Sequence, residues 1–129
     1  MAKIEKFQDI EAWKMARKVT KMIYDISKQE GFSRDFALCN QIRRASISIV
    51  SNIAEGFERN GDKEFLQFLS IAKASCAEVH AQLYVALDQE YIDDKQFEDI
   101  SKDLGETSRI IGGLMKYLQQ SELRGSKFR

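Results

Sequence analysis

One helical segment, Gln41-Ile-Arg-Arg-Ala-Ser-Ile-Ser-Ile-Val-Ser-Asn-Ile-Ala-Glu-Gly56, carries the clearest structural signal in this chain. Residues of an α-helix turn by about 100° each, so residues three, four and seven apart share a face. One face of the segment is apolar and contains Ile42, Ala45, Ile49 and Ile53. The opposite face carries Gln41, Arg44, Ser48, Asn52 and Glu55. Several of these side chains are short, which allows a second helix to approach closely, so we predict a helix that is packed on more than one side.

The same periodicity predicts four helices in total, over residues 9–30, 35–56, 62–90 and 94–120, followed by a frayed basic tail over 121–129. Gly31 is predicted to end the first helix. Gly56 is predicted to follow the last turn of the second helix, because glycine adopts the left-handed conformation without penalty. Asp93 and Gln96 form a capping-box pattern for the fourth helix.

Composition supports one all-α domain over residues 1–129. The chain has no proline, seven glycines and 43% hydrophobic residues, so nothing interrupts long helices. No segment shows the alternation typical of a β-strand. Helices joined by short loops predict an antiparallel up-down-up-down four-helix bundle.

Charge and cysteine content limit the partners and the compartment. The formal net charge is zero, so no overall basic field attracts nucleic acid. The longest uncharged run, residues 45–54, is far shorter than the ~20 apolar residues of a membrane span. Cys39 and Cys76 lie in helical patterns, and the N-terminus has no leader pattern. We therefore expect a cytoplasmic protein that does not bind a membrane.

Signatures of catalysis are missing from the sequence, which contains no phosphate-binding glycine loop, dinucleotide fingerprint or nucleophile elbow. Cys76 and His80 lie one helical turn apart, but a zinc site needs three or four protein ligands. We therefore expect no enzyme activity, no small-molecule substrate, no metal and no cofactor.

A polar stripe on the second and third helices has two interpretations. Its members are Arg44, Ser48, Asn52, Glu55, Ser75 and Glu78. If the helices are neighbours, Arg44 and Glu78 could form a polar site. Alternatively they form a partly buried ion pair, with hydrogen bonds among the serines and Asn52, that sets helix register. We favour the structural interpretation.

The first helix offers a candidate nucleic-acid surface. Its face opposite the apolar residues carries five basic side chains: Lys14, Arg17, Lys18, Lys21 and Lys28. Glu11 and Asp25 interrupt this face, so the alternative is a solvated helix surface with intrahelical ion pairs. No aromatic residue lies among the lysines, so the pattern does not predict a base-stacking platform.

Small and apolar residues away from the core predict self-association, because a monomeric bundle does not need them on its surface. The candidate interface residues are Phe36, Ile47, Leu66, Ala74, Ala77, Ala81 and Tyr84. Scattered surface alanines are the alternative explanation.

Three motifs resemble a known family, the small four-helix-bundle proteins encoded in intervening sequences of bacterial 23S rRNA genes. They are Phe7-x-Asp9-Ile10-x-Ala12-Trp13-x-x-Ala16, Gln41-Ile-Arg-Arg-Ala45-x-x-Ser48-Ile49-x-x-Asn52-Ile-Ala-Glu-Gly56, and Glu64-Phe65-x-x-Phe68-Leu69-x-Ile71-Ala72-x-x-Ser75-x-x-Glu78. The chain departs from the family at Gly31-Phe-Ser-Arg-Asp-Phe-Ala-Leu38, where a proline and a glycine are frequent, so the geometry of this loop stays open.

This resemblance implies a ring-like homopentamer. A related accessory determinant of diversity-generating retroelements is credited with binding nucleic acid and a reverse transcriptase through a basic surface. By that analogy, the basic residues of the first helix, repeated around a ring, would bind phosphates with avidity. We therefore expect a non-enzymatic binding module for RNA, DNA or a nucleic-acid-processing protein. The alternative is a structural or protein-interaction oligomer without nucleic-acid contact.

Overall fold

Four helices account for most of the chain in a computed structural model, which describes the backbone of residues 4–127 and the side chains of residues 4–120. The helices are α1 (Glu11–Ser27), α2 (Phe36–Glu58), α3 (Asp62–Asp88) and α4 (Asp94–Lys127). Short 3-10 turns at Phe7–Asp9 and Phe32–Arg34 precede α1 and α2. Helix α1 ends at Ser27, so the prediction that Gly31 ends the first helix is wrong, and Gly31 instead precedes the second 3-10 turn. No β-strand occurs in the described residues, so the all-α, four-helix class is confirmed.

Each helix contributes one apolar stripe to a common core. Helix α1 contacts α2 and α4, and α3 contacts the same two helices, so the four helices enclose one interior. The largest fully buried apolar side chains are Phe32, Ile23, Ile42, Ile49, Ile53, Leu69, Leu83, Ile100, Ile111, Val19 and Val79. Buried side chains recur every three to four residues, which is why the periodicity of the sequence identifies these helices.

Helix α4 begins with the capping box that its sequence predicts. The Asp93 carboxylate accepts a hydrogen bond from the Gln96 backbone N–H at 2.8 Å, and the Gln96 side chain accepts one from the Asp93 N–H at 3.1 Å. These two bonds satisfy backbone donors that a helix leaves unpaired at its first turn. The predicted start of α4 is confirmed.

The loop between α1 and α2, whose geometry the sequence left open, is tied to the loop between α3 and α4. Gly31 has a φ of +91°, in the region that favours glycine. Phe32 is fully buried and stacks on Tyr91 with 5.3 Å between ring centroids. The Tyr91 hydroxyl donates to the Asp35 carboxylate at 3.0 Å, while Asp35 also caps α2 by accepting from the Leu38 N–H. The Asp35 carboxylate therefore links the α1–α2 loop to the α3–α4 loop and also caps the start of α2.

Gly56 does not end α2, and the prediction that it follows the last turn is wrong. The helix continues to Glu58 and Gly56 is buried within it. A Cβ atom on Gly56 would lie 2.6 Å from Cβ of Phe68 and 3.0 Å from the Phe65 ring. The glycine is required because α3 packs directly against the backbone of α2 at this point.

The C-terminal end of α4 also differs from the prediction. Helix α4 continues to Lys127, so the expectation that helical structure ends at Gln120 is wrong. Residues 128 and 129 of the predicted basic tail lie outside the described residues. Within residues 4–127, none of the helices contains a stretch long and apolar enough to cross a membrane.

Candidate nucleic-acid interface

The basic face of α1 exists because the helix buries its opposite side. Ala12, Ala16, Val19 and Ile23 are fully buried against the other helices. The five predicted basic residues therefore point away from the core, and all five are exposed. We call this set, Lys14, Arg17, Lys18, Lys21 and Lys28, the α1 basic face.

Two members of the α1 basic face are paired with acidic side chains. The Lys18 ammonium lies 3.2 Å from a carboxylate oxygen of Asp103 on α4. Lys21 donates to both carboxylate oxygens of Asp25, at 2.8 and 3.0 Å, and this hydrogen bonding lowers the pKa of the Asp25 carboxyl. The cationic charge available to a phosphate is therefore concentrated on the other three residues.

Lys14, Arg17 and Lys28 form no ion pair within the part of the chain that the structure describes. The Arg17 guanidinium lies 5.8 Å from the centroid of the Trp13 ring, which restrains its position while leaving its donors exposed. Within the α1 basic face, these three side chains can neutralise an external anion without first breaking an ion pair.

Arg43 is a further cation beside α1, and the sequence pattern did not predict its position there. Its guanidinium lies 4.8 Å from the centroid of the Tyr24 ring, and its Nε donates to Ser27 Oγ at 2.8 Å. Both partners belong to α1, so Arg43 links α2 to the rim of the α1 basic face. Only the packing of the two helices reveals this role, because 16 residues separate Arg43 from Ser27.

The structure assembles only part of the predicted polar stripe. Ser48 and Ser75 share a hydrogen bond of 2.8 Å between α2 and α3, and Asn52 donates to the Ser48 carbonyl and hydroxyl at 2.8 and 3.0 Å. Arg44, Glu55 and Glu78 are instead exposed.

The predicted ion pair between Arg44 and Glu78 is wrong for the single chain. No salt bridge joins them in the described residues. Helices α2 and α3 are instead joined through Ser48 and Ser75, and both charged side chains are exposed. The stripe therefore fixes helix register through neutral hydrogen bonds and does not assemble a charged site.

The predicted interface residues lie mostly on the surface. Phe36, Ile47 and Tyr84 are exposed by 75%, 42% and 50%, and Ala74, Ala77 and Ala81 are exposed as well. Leu66 is only partly buried and packs against the core. Two further apolar residues on α3, Ile71 and Val85, are exposed but were not among the predicted interface residues. Their positions outside the core stripe are the signal that would have identified them.

A groove of about 540 Å³ lies between α3 and α4. Small side chains line much of it, and the Lys73 ammonium donates across it to Ser108 Oγ at 3.1 Å. Cys76 also lines the groove, and burial raises the pKa of its thiol to about 11. At neutral pH this thiol keeps its proton and is a poor nucleophile.

Cys76 and His80 do not recruit further metal ligands. Within the described residues, no group of three His, Cys, Asp or Glu side chains lies close enough to hold a metal ion. The His80 ring instead packs against Tyr84 and Phe97, with centroids 5.2 and 6.3 Å away. Both cysteines are buried free thiols.

Comparison with known proteins agrees with the motifs. The chain is similar to a solved structure from Bacteroides thetaiotaomicron VPI-5482, described as a protein with unknown function from the S23 ribosomal protein family. The TM-score is 0.75 at 23% identity, and the match covers 81% of this chain and 95% of that chain. No curated protein gives a significant match. A family model for the 23S rRNA-intervening sequence protein matches residues 8–113. Because that model spans most of the sequence, the chain belongs to the 23S rRNA-intervening sequence protein family.

Proposed function

We propose that this protein is a non-enzymatic homo-oligomer that binds the phosphates of RNA or DNA through the α1 basic face. The observation that carries the proposal is the exposure of Lys14, Arg17 and Lys28 without an ion pair in the described residues. Each such cation that meets a phosphate releases condensed counterions, which favours binding. A nucleic-acid-processing protein is a further partner in this proposal.

Oligomerisation is the second part of the proposal, because the net charge of one chain is zero. A single α1 basic face offers few phosphate contacts, whereas several copies bound to one strand act together and gain avidity. A ring-like homopentamer of antiparallel up-down-up-down bundles would repeat the face around its circumference. The free thiols of Cys39 and Cys76 support a reducing, cytoplasmic location.

Fluorescence anisotropy with labelled duplex DNA, structured RNA and single-stranded DNA, measured from low to physiological salt, tests nucleic-acid binding. We expect log K to fall linearly with log salt for the natural protein. The triple variant Lys14→Gln, Arg17→Gln and Lys28→Gln should bind at least about tenfold more weakly and show a shallower salt slope.

The matched control removes three exposed cations through Lys63→Gln, Lys102→Gln and Lys116→Gln, none of which forms an ion pair within the described residues. Because these residues lie outside the α1 basic face, the control should keep the affinity and slope of the natural protein. An equal loss of nucleic-acid affinity in both triple variants would indicate that binding depends on the total charge of the protein and not on the α1 basic face. If the natural protein binds none of the three probes at low salt, the nucleic-acid proposal is wrong.

A protein-interaction oligomer without nucleic-acid contact is the second candidate function. It is favoured by the exposed apolar residues of α3, among them Ile71, Tyr84 and Val85. Light scattering separates the two candidates when it is combined with the anisotropy measurement. An oligomer that binds none of the nucleic-acid probes would support this second function.

A further inference from the structure

Two outward-facing stripes on α2 and α3 share the same spacing. On α2 the stripe consists of Ala37, Asn40, Arg44, Ile47 and Ser51. On α3 it consists of Ile71, Ala74, Glu78, Ala81 and Val85. Members of each stripe are separated alternately by three and four residues, which is the spacing of a seam that packs against another helix. All ten residues are exposed except Ser51, which is half-buried.

Neither stripe takes part in the packing of α2 against α3 within the chain. That packing uses the hydrogen bond between Ser48 and Ser75 and the close approach of Gly56 to Phe68. The α2 stripe leaves Ile47 exposed by 42%, and the α3 stripe leaves Ile71 and Val85 exposed by 51% and 45%. Two helical seams on the surface of one chain therefore lack a partner within the described residues.

Charge makes the two stripes complementary. Each contains one charged residue, and it occupies the central position: Arg44 on α2 and Glu78 on α3. Neither forms a salt bridge within the described part of the chain. A lone charged residue in an otherwise uncharged seam costs stability unless it meets its counterpart, and it thereby selects one partner and one register.

Side-chain size is complementary in the same register. When Arg44 is placed opposite Glu78, Ile47 faces an alanine of the α3 stripe, either Ala74 or Ala81. The large ends of the α3 stripe, Ile71 and Val85, then face the small ends of the α2 stripe, Ala37 and Ser51. This matching holds whichever direction the second helix runs, because the α3 stripe has the same size pattern in both directions.

We propose that the α2 stripe of one protomer packs along the α3 stripe of a second copy, with Arg44 paired to Glu78 of the partner subunit. The inference rests on the oligomerisation in the proposed function and is independent of nucleic-acid binding. Every copy carries both stripes, so the contact can repeat from one copy to the next until symmetry closes the assembly.

Charge reversal tests this contact, since neither residue has an ion-pair partner in the described chain. Arg44→Glu and Glu78→Arg each place two like charges opposite one another, whereas the double variant restores an opposite pair. By light scattering over a concentration series, we expect each single variant to raise the dissociation constant at least about tenfold and the double variant to return to within about threefold of the natural value. Circular dichroism should show unchanged helicity in all three.

The control is Lys102→Glu, which reverses an exposed charge on α4 outside both stripes and should leave the mass unchanged. If the single variants assemble like the natural protein, or if the double variant is as impaired as either single, the Arg44–Glu78 contact is wrong although the protein is an oligomer. If the natural protein is monomeric at every concentration, the contact and the oligomeric part of the proposed function are both wrong. If the natural protein assembles but does not bind nucleic acid, only the proposed role of the α1 basic face is wrong.

A photo-cross-linking residue at position 47 directly identifies the helix that packs on the α2 stripe. Mixed ¹⁴N- and ¹⁵N-labelled protein distinguishes cross-links between chains from those within one chain. We expect inter-chain products that join position 47 to peptides from α3. Inter-chain products confined to any other helix would overturn the assignment.

Discussion

Gly56 shows how one missing side chain determines helix packing. Its neighbours Phe65 and Phe68 occupy the space that a Cβ atom would need. Cβ of Phe68 is attached directly to the backbone of α3, so it cannot move aside without moving the helix. The close contact of α2 with α3 therefore depends on glycine at this position.

Gly56→Ala should destabilise the protein by about 1–3 kcal/mol, because an added methyl group overpacks a closely packed site. Urea unfolding followed by circular dichroism measures the change. The matched control is Gly113→Ala in α4, where a Cβ would meet nothing within 4 Å. That substitution should stabilise the helix by about 0.5–1 kcal/mol. Equal effects of the two substitutions would show that α3 does not require glycine at position 56.

Tyr91 should make stability depend on pH in the alkaline range. Its hydrogen bond to Asp35 raises the pKa of the phenol above the ordinary value of 10.0, so the folded protein holds this proton more tightly than the unfolded chain. The linked stabilisation is complete below the unfolded pKa and is lost as pH rises through the folded pKa. Tyr91→Phe should therefore lose stability at neutral pH and show a flatter decline above pH 10. An unchanged alkaline decline would contradict this linkage.

At the scale of the elements, Asp35 combines two tasks that substitution can separate. Its carboxylate caps α2 through the Leu38 N–H at 3.0 Å and accepts the Tyr91 hydroxyl. Asp35→Ala removes both interactions and should cost about 0.5–2 kcal/mol from the lost cap alone. Asp35→Asn retains a good capping side chain but removes the charge.

We therefore expect Asp35→Asn to keep most of the helix stability while the pKa of Tyr91 returns toward 10.0, the ordinary value for tyrosine. Ultraviolet titration of the phenol and thermal unfolding measure the two effects separately. If Asp35→Asn is as unstable as Asp35→Ala, the carboxylate acts mainly through its charge and not as a cap.

The whole molecule is organised around one core to which all four helices contribute. We expect cooperative unfolding, in which fluorescence of Trp13, the only tryptophan, coincides with the loss of helicity in urea. If the protein assembles as proposed, mass action stabilises the oligomer, and the unfolding midpoint should rise with protein concentration. Arg44→Glu should reduce this concentration dependence. Separate fluorescence and helicity transitions would instead indicate independently folding parts.

Local sequence patterns were sufficient to predict the four helices, the all-α class and the capping box of α4. These features depend on residues within a few positions of one another, such as Asp93 and Gln96, so local periodicity and hydrogen-bonding chemistry are sufficient to predict them. The sequence also predicted that the α1 basic face is exposed, because the opposite side of that helix is apolar.

The packing of the helices was needed to show which surfaces meet. It showed that Gly56 admits α3, that Asp103 takes up the charge of Lys18, and that Arg44 and Glu78 remain apart within one chain. Helical periodicity states which face a residue occupies, but the rotation and register of neighbouring helices depend on how all the side chains at their contact fit together. Contacts between residues that are far apart in the sequence therefore could not be predicted without the packing of all four helices.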